Sequence, residues 1–385
     1  MKKQKICIVG GSLTGLVTAI SLSKLNCDID LVTDENTKNQ NSSGTIAISE
    51  DNLEFIMRLN ISNSFKKGIW PCKKIKLYSE IKNKNFTEIF ELNNQNKKKS
   101  LLYMVENNKI KNLMIGKIKK TKSISLKKNE RIREINNHGL LKKIKFKKNS
   151  SNYNLIIICT GGESELVKNI FWKNTMSNSY NESSLTTILN HNFLNNNTAR
   201  QIFMDDEIFA MLPISNSKTA IVWSIRNKKK KELIFKKKIK FYAEKYLNNV
   251  KFITKIQQRN LNFSVRSKYY KDRLLLFGDA LHVIHPFVGQ GFNMTLRDLK
   301  ILNKVLTNNI NLGLDIGSPD ILSEFSYKAK PRNFAFSIGT DILKNTFSIK
   351  NDYFKVARNE VIKNLNKNNF VKNIFTNIAD KGFKI

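Results

Sequence analysis

A short apolar strand, Ile6-Cys7-Ile8-Val9, runs into Gly10-Gly11-Ser12-Leu13-Thr14-Gly15 and then into an apolar helix from Leu16 to Leu25. This junction limits the fold more than any other stretch, because only small residues can turn a buried strand straight into a helix packed on it. In the pattern G-x-G-x-x-G the first glycine permits the turn, the second admits a pyrophosphate to the backbone, and the third lets the helix approach the strand. Here the middle position is Ser12, small enough to leave room and able to donate its hydroxyl to a phosphate. A second strand, Ile29 to Val32, ends in Thr33-Asp34-Glu35. An acid roughly 20 residues beyond the glycines would hold a ribose hydroxyl. Thr33 takes that place by strand count, and Asp34 is the nearest carboxylate.

A second block lies far along the chain. Leu274 to Phe277 reads as a buried strand, and Gly278-Asp279 at its end offers an acidic side chain to a ligand hydroxyl. His282, His285 and Pro286 follow, then Gly289-Gln290-Gly291-Phe292-Asn293, after which Met294, Leu296 and Leu299 begin a helical apolar spacing. Glycines ahead of a helix let the backbone close on a ligand, and the unpaired N–H groups of the first turn favour negative charge. An isoalloxazine ring becomes anionic on reduction, and this helix start suits it.

Taken together, these residues resemble the class A FAD-dependent aromatic monooxygenases, the group typified by p-hydroxybenzoate hydroxylase. Within it the chain is most similar to the ubiquinone-biosynthesis hydroxylases of the 2-polyprenyl-6-methoxyphenol hydroxylase type. The specific marks are His285-Pro286, Val288-Gly289-Gln290-Gly291-Phe292-Asn293 and Leu296-Arg297-Asp298. Val105-Glu106-Asn107, Ala210-Met211-Leu212-Pro213 and Val222-Trp223-Ser224 follow the family's order, so the resemblance covers nearly the whole chain.

The resemblance implies an α/β fold: a Rossmann-like FAD-binding domain with an inserted β-sheet substrate domain and a helical C-terminus. The expected FAD domain is discontinuous, 1–75, 100–165 and 266–345, with substrate sheet at 76–99 and 166–265 and a C-terminal helical segment at 346–385. Alternation from Lys74 to Leu92 favours strands, a helix is expected from about Glu50, and Met104 to Asn107 is expected to open a helix running Asn108 to Ile118. Asn154 to Gly162 reads as a fully buried strand and turn. Phe209 and Trp223 read as core of the substrate sheet. Ile338, Ile342, Leu343, Phe347, Phe354 and Val356 read as core or groove residues of the helical end.

The charge is strongly positive, +36. Lysines are scattered among abundant asparagine and isoleucine and are not interleaved with stacking aromatics, so the pattern argues against nucleic-acid binding and for compositional drift. A basic surface could also hold the protein at the inner face of an anionic membrane. No stretch reaches the roughly 18 to 20 apolar residues of a membrane span, and the basic N-terminus is not followed by a cleavage signal. Cys7, Cys27, Cys72 and Cys159 are widely spaced, without metal-ligand spacing, and read as reduced cysteines of a cytoplasmic protein, so no metal site is expected.

By the same resemblance, reduced flavin and oxygen form a C4a-hydroperoxyflavin that transfers one oxygen to the ring of a polyprenylated phenol. Electrons come from NAD(P)H or a partner reductase, and other ubiquinone-biosynthesis proteins are candidate partners. Expected FAD contacts are Gly10, Gly11, Ser12, Gly15, Thr33, Asp34, Asn108, Gly278, Asp279, Pro286, Gly289, Gln290, Gly291 and Asn293. His285 is the catalytic candidate, weighed against a packing role for both it and His282. Ser12, Thr33, Gly44, Asn108 and Gly161 stand where the family commonly has other residues touching FAD, which points to weakly held cofactor. A flavin hydroxylase of a soluble aromatic compound and a non-catalytic scaffold of a quinone-biosynthesis complex are the alternatives.

Overall fold

A computed structural model describes residues 3–34, 44–80, 85–94, 99–162, 164–171, 175–226, 232–284 and 289–382. The apolar N-terminal run folds as the strand Gln4–Val9 inside a six-stranded sheet. Its neighbours are Cys27–Thr33 and Leu155–Ile158, both parallel to it, with Ile124–Lys128 beyond the first and Leu274–Leu276 beyond the second. Ile6, Ile8, Leu31, Ile157 and Leu275 are fully buried, as continuous apolar strands must be when helices cover both faces. Each such side chain contributes about 1.5–3 kcal/mol of burial. Helix α1 (Leu13–Leu22) follows the glycine turn directly. The strand expected over Asn154 to Gly162 is confined to Leu155–Ile158, because Thr160 to Gly162 already turn away at the ligand end.

Helix α2 (Glu50–Arg58) begins at the expected Glu50. Leu102–Glu106, which takes in Met104 to Glu106 of the stretch expected to open a helix, is a strand that pairs antiparallel with Thr45–Ser49 and Trp70–Cys72 and then leads into that helix. Only at Asn107 does α3 (Asn107–Lys119) start. The β-rich composition of Leu-Tyr-Met-Val is satisfied by two flanking strands, which a reading of local helix spacing does not see. A further antiparallel ribbon, Glu134–His138, Leu141–Lys145 and Ser150–Tyr153, was not anticipated.

The second large sheet has nine strands among the described residues. Lys218–Arg226 lies between Thr175–Asn190 and Glu207–Ser215, antiparallel to both, and Thr198–Phe203 joins them to Lys74–Glu80 and Phe86–Asn93. Period-two alternation splits its faces. Phe209 and Trp223 point to one face and meet edge to face at 6.1 Å between ring centroids. Helix α5 (Glu232–Ala243), which follows the short helix α4 (Glu165–Phe171) in chain order, covers them with Phe235 and Tyr242. Ala210, Leu212 and Val222 point to the opposite face, toward Thr45 and Asn107.

Helices α6 (Gln290–Asn311), α7 (Pro319–Phe347), α8 (Asp352–Lys367) and α9 (Asn369–Lys381) complete the chain. Phe347 is buried and stacks on Phe203 at 3.8 Å. Ile338, Ile342, Leu343, Phe354 and Val356, read from sequence as core or groove, are exposed. Helical apolar spacing shows that a face exists, and here the described residues leave that face uncovered.

Candidate functional site

The strand ends of the parallel sheet open into a cleft of about 1230 Å³. Gly10, Gly11, Ser12, Val32, Asp34, Gly161 and Asp279 line it, with residues 130–137 of the unanticipated ribbon and its approach forming the opposite wall. Each glycine has a geometric reason. A Cβ on Gly15 would lie 1.9 Å from the Gly10 carbonyl oxygen, and Gly10 itself has φ +132° and faces the Cys159 carbonyl. A Cβ on Gly11 would lie 2.9 Å from Thr33 Cγ2. Thr33 therefore packs against the glycine turn, whereas Asp34 is the carboxylate on the cleft wall, with Arg131 Nε at 3.4 Å. Ser12 caps the start of α1, its Oγ pointing toward the Cys159 carbonyl at 3.5 Å.

At the inner end of the cleft, Gly278 adopts φ +63°, and a Cβ there would meet Thr14 Cγ2 at 2.5 Å. That left-handed turn brings Asp279 onto the cleft surface. The residue is exposed along the cleft, whose walls crowd its carboxyl. Burial pushes its pKa above the usual carboxylate range, partly opposed by the nearby His282 and Arg259.

His282 is turned away from the cleft. Its Nε2 lies 2.8 Å from Asp298 Oδ2, with both side chains only 1% exposed. Asn333 Nδ2 donates to both Asp298 oxygens at 3.0 and 2.9 Å. This is a packing and hydrogen-bonding role for His282. His285 and Pro286 lie outside the described residues.

The start of α6 is held by Asn293. Its Oδ1 accepts from the Ser49 amide at 2.9 Å and from Asn52 Nδ2 at 3.0 Å, and its Nδ2 donates to the Ala47 carbonyl at 2.9 Å. The Asn293 side chain is fully buried and committed to the strand and helix beside it, which leaves its backbone for any ligand contact. Gln290 is likewise buried and accepts from Arg297 at 3.2 Å. What the helix offers a ligand is backbone: Gly289 is the N-cap at φ 70°, and the N–H groups of Gln290, Gly291 and Phe292 have no intrahelical partner.

A second cavity of about 210 Å³ begins at Gly289 and runs beneath the large sheet. Gly44, Thr45 and Asn107 form its near wall, and Ser184, Thr186, Ala210, Leu212, Val222, Gln257 and Arg259 its far wall. Asn107, not Asn108, is the residue in this wall; Asn108 follows it into the first turn of α3 and lines neither cavity. Asn107 also fills the space beside Gly44, with Nδ2 2.4 Å from where a Cβ would stand. Asn107 Oδ1 and Thr45 Oγ1 are buried without a hydrogen-bond partner. Leaving such groups unpaired costs about 1–3 kcal/mol each, so they mark a surface shaped for a ligand. Sequence reading missed Ser184, Thr186, Gln257 and Arg259; the available signal was the alternation along Gln257 to Leu261.

Gly289 at the helix start borders the second cavity, while Asp279, eleven residues before Gln290, lines the cleft. Gly161 and Gly291 have open space where a Cβ would stand, so neither cradle is filled by protein. No group of acidic, histidine or cysteine side chains able to hold a metal ion occurs among the described residues.

A family model described as FAD binding domain matches residues 3–333. The mitochondrial ubiquinone biosynthesis monooxygenase COQ6 of Dictyostelium discoideum is 22% identical, over 97% of this chain and 90% of that protein. Ubiquinone hydroxylase UbiL of Rhodospirillum rubrum is 30% identical over 46% of this chain and 42% of its own. Among solved structures, p-nitrophenol 4-monooxygenase PnpA of Pseudomonas putida superposes with TM-score 0.80 at 15% identity, covering 100% of this chain and 99% of PnpA. HpxO of Klebsiella pneumoniae, solved with FAD and uric acid, gives TM-score 0.78 at 12% identity, covering 98% and 97%.

Proposed function

This chain belongs to the FAD binding domain family, and on that premise we propose that it is an FAD-dependent monooxygenase hydroxylating the aromatic ring of a polyprenylated phenol in ubiquinone biosynthesis. The observations that carry this reading are a cleft of dinucleotide size at the glycine turn and a small cavity at the helix start of α6. The names of the COQ6 and UbiL relatives supply the pathway.

FAD fits the residues present. Gly10, Gly11, Ser12 and Asp34 would hold its nucleotide end, Asp279 the sugar chain, and the amides after Gly289 the ring. When bound, FAD supplies the oxygen-activating redox chemistry. In the overall reaction NAD(P)H, or a partner reductase, gives two electrons; one atom of O₂ enters the ring and the other leaves as water. The protein's part is placement and dryness: Ala210, Leu212 and Val222 give the ring an apolar wall, and the positive end of α6 stabilises negative charge at the ring of the cofactor. We read the nine-stranded sheet as the substrate domain and the parallel sheet with its helices as the FAD domain.

The test is optical and chemical. Purified protein given FAD should show a bound-flavin spectrum, and with NAD(P)H and a short-chain prenylphenol it should yield a product heavier by one oxygen. FAD binding with no oxygenated product from any prenylphenol would favour the scaffold alternative.

No helix among the described residues is long and apolar enough to cross a membrane. Exposed Tyr353, Val356, Val361 and Phe370 on α8 and α9, set among lysines, suit contact with an anionic membrane surface where a polyprenyl tail resides. Co-sedimentation with anionic vesicles, weakened at high salt and absent with neutral ones, is expected. Equal recovery in all supernatants would remove this part of the reading.

A further inference from the structure

Arg259 stands opposite Ser184 in the register of the large sheet, on the strand Gln257–Arg266. Alternation turns Gln257 and Arg259 into the cavity that begins at Gly289, while Gln258 and Asn260 face the Ser183 hydroxyl on the other side of the sheet. The guanidinium has no hydrogen bond or ion pair among the described residues; the charged group it influences, Asp279, lines the large cleft and not this cavity. The remaining walls are neutral: hydroxyls of Ser184 and Thr186, the side chains of Ala210, Leu212 and Val222, and the amides of Asn107 and Gln257.

Arg259 is exposed and lines a cavity of about 210 Å³, room for one ring and its substituents, in which no acidic side chain offers it a counter-charge. An arginine fork is geometrically matched to an oxygen anion and far less to a neutral group. We propose that Arg259 determines substrate specificity here: it selects aromatic rings bearing an oxyanion, phenolate or ring carboxylate, and holds that oxygen while the ring lies on Ala210, Leu212 and Val222. This rests on the reading of the cavity as the site of the aromatic substrate. Where the bound oxygen is a phenolate, the ring enters in its more electron-rich, ionised form without a histidine having to remove the proton in the pocket.

FAD-loaded wild type, Arg259→Gln and Arg259→Lys should be titrated with 4-hydroxybenzoate and with a short-chain 2-prenylphenol, by calorimetry and by the change in flavin absorbance, between pH 6 and 10. Retention of the flavin spectrum shows that each variant is folded, as expected for a side chain with no structural partner. Arg259→Gln should bind at least one probe about tenfold more weakly, and Arg259→Lys should recover most of that loss. If a carboxylate is the preferred oxyanion, 4-hydroxybenzoate affinity is insensitive to pH near neutrality and depends on Arg259. If a phenolate is preferred, prenylphenol affinity rises with pH in wild type and the rise is lost in Arg259→Gln. Equal binding of both probes by wild type and Arg259→Gln overturns the role of Arg259 alone. Failure of FAD-loaded wild type to bind either probe overturns both this role and the aromatic-substrate reading beneath it.

Discussion

Asp279→Ala should lose FAD while leaving the apoprotein as stable as wild type, or more so. The carboxyl is held on the cleft wall by the left-handed turn at Gly278 and faces the cleft without a hydrogen-bond partner among the described residues. A hydrogen bond to a charged group contributes about 1.5–3 kcal/mol, so losing one weakens FAD roughly 10- to 150-fold. The altered positions Ser12, Thr33, Gly44, Asn108 and Gly161 leave less to compensate, and wild-type FAD should itself exchange on dialysis. The apoprotein argument runs through linkage. Burial raises the folded pKa of Asp279 above its unfolded value of about 3.9. The folded state therefore holds the proton more tightly, and its contribution is fully present below the unfolded pKa and lost as pH rises through the folded one. Above that window the ionised carboxyl opposes folding, and alanine removes the opposition. Thermal melts of apoprotein at pH 4 and pH 8, with FAD fluorescence titrations, read both effects; unchanged FAD affinity in the variant would sink the assignment.

Asp298→Ala should be the most destabilising single substitution among the site's neighbours. Asp298 accepts from His282 and twice from Asn333 inside the protein. Removing one member of such a buried cluster costs about 3–5 kcal/mol, because the others are left unpaired. For a chain of this size that is roughly 4–6 °C in melting temperature. His282→Leu combined with Asp298→Leu should regain part of the loss, since replacing a buried pair by apolar residues is often neutral. If Asp298→Ala melts like wild type, His282 and Asp298 are not the structural brace described above, and a role for His282 in proton transfer returns.

Both substitutions sit in segments whose sequence was informative, and the reason is local. The turn Gly10 to Gly15 and the block Gly278 to Asn293 are read from short-range demands: a Cβ at Gly15 collides with the turn itself, and Gly278 must be left-handed. Apolar runs such as Leu155–Ile158 announce a buried parallel strand for the same reason. What escaped the sequence depends on register between distant segments. The small cavity takes its polar wall from Ser184, Thr186, Gln257 and Arg259, which become one face only when two strands pair. Asn293 at a helix start has the look of a ligand contact, yet Ala47, Ser49 and Asn52, more than 240 positions away, capture its amide. Leu102–Glu106 is a strand because Thr45–Ser49 and Trp70–Cys72 flank it, not because of its own spacing. The apolar residues of α7 to α9 have a helical period, but period alone does not say what covers a face.

The central claim is oxygen transfer to an aromatic ring, and an isotope experiment tests it without knowledge of the natural electron donor. FAD-loaded protein is reduced anaerobically with dithionite, then mixed with ¹⁸O₂ and a short-chain prenylphenol, and the quenched products are analysed by mass spectrometry. Expected is a ring-hydroxylated product carrying one ¹⁸O, absent when the substrate is present without protein. Reoxidation that yields only hydrogen peroxide, or a hydroxylated ring whose new oxygen comes from water, would contradict a monooxygenase at this site.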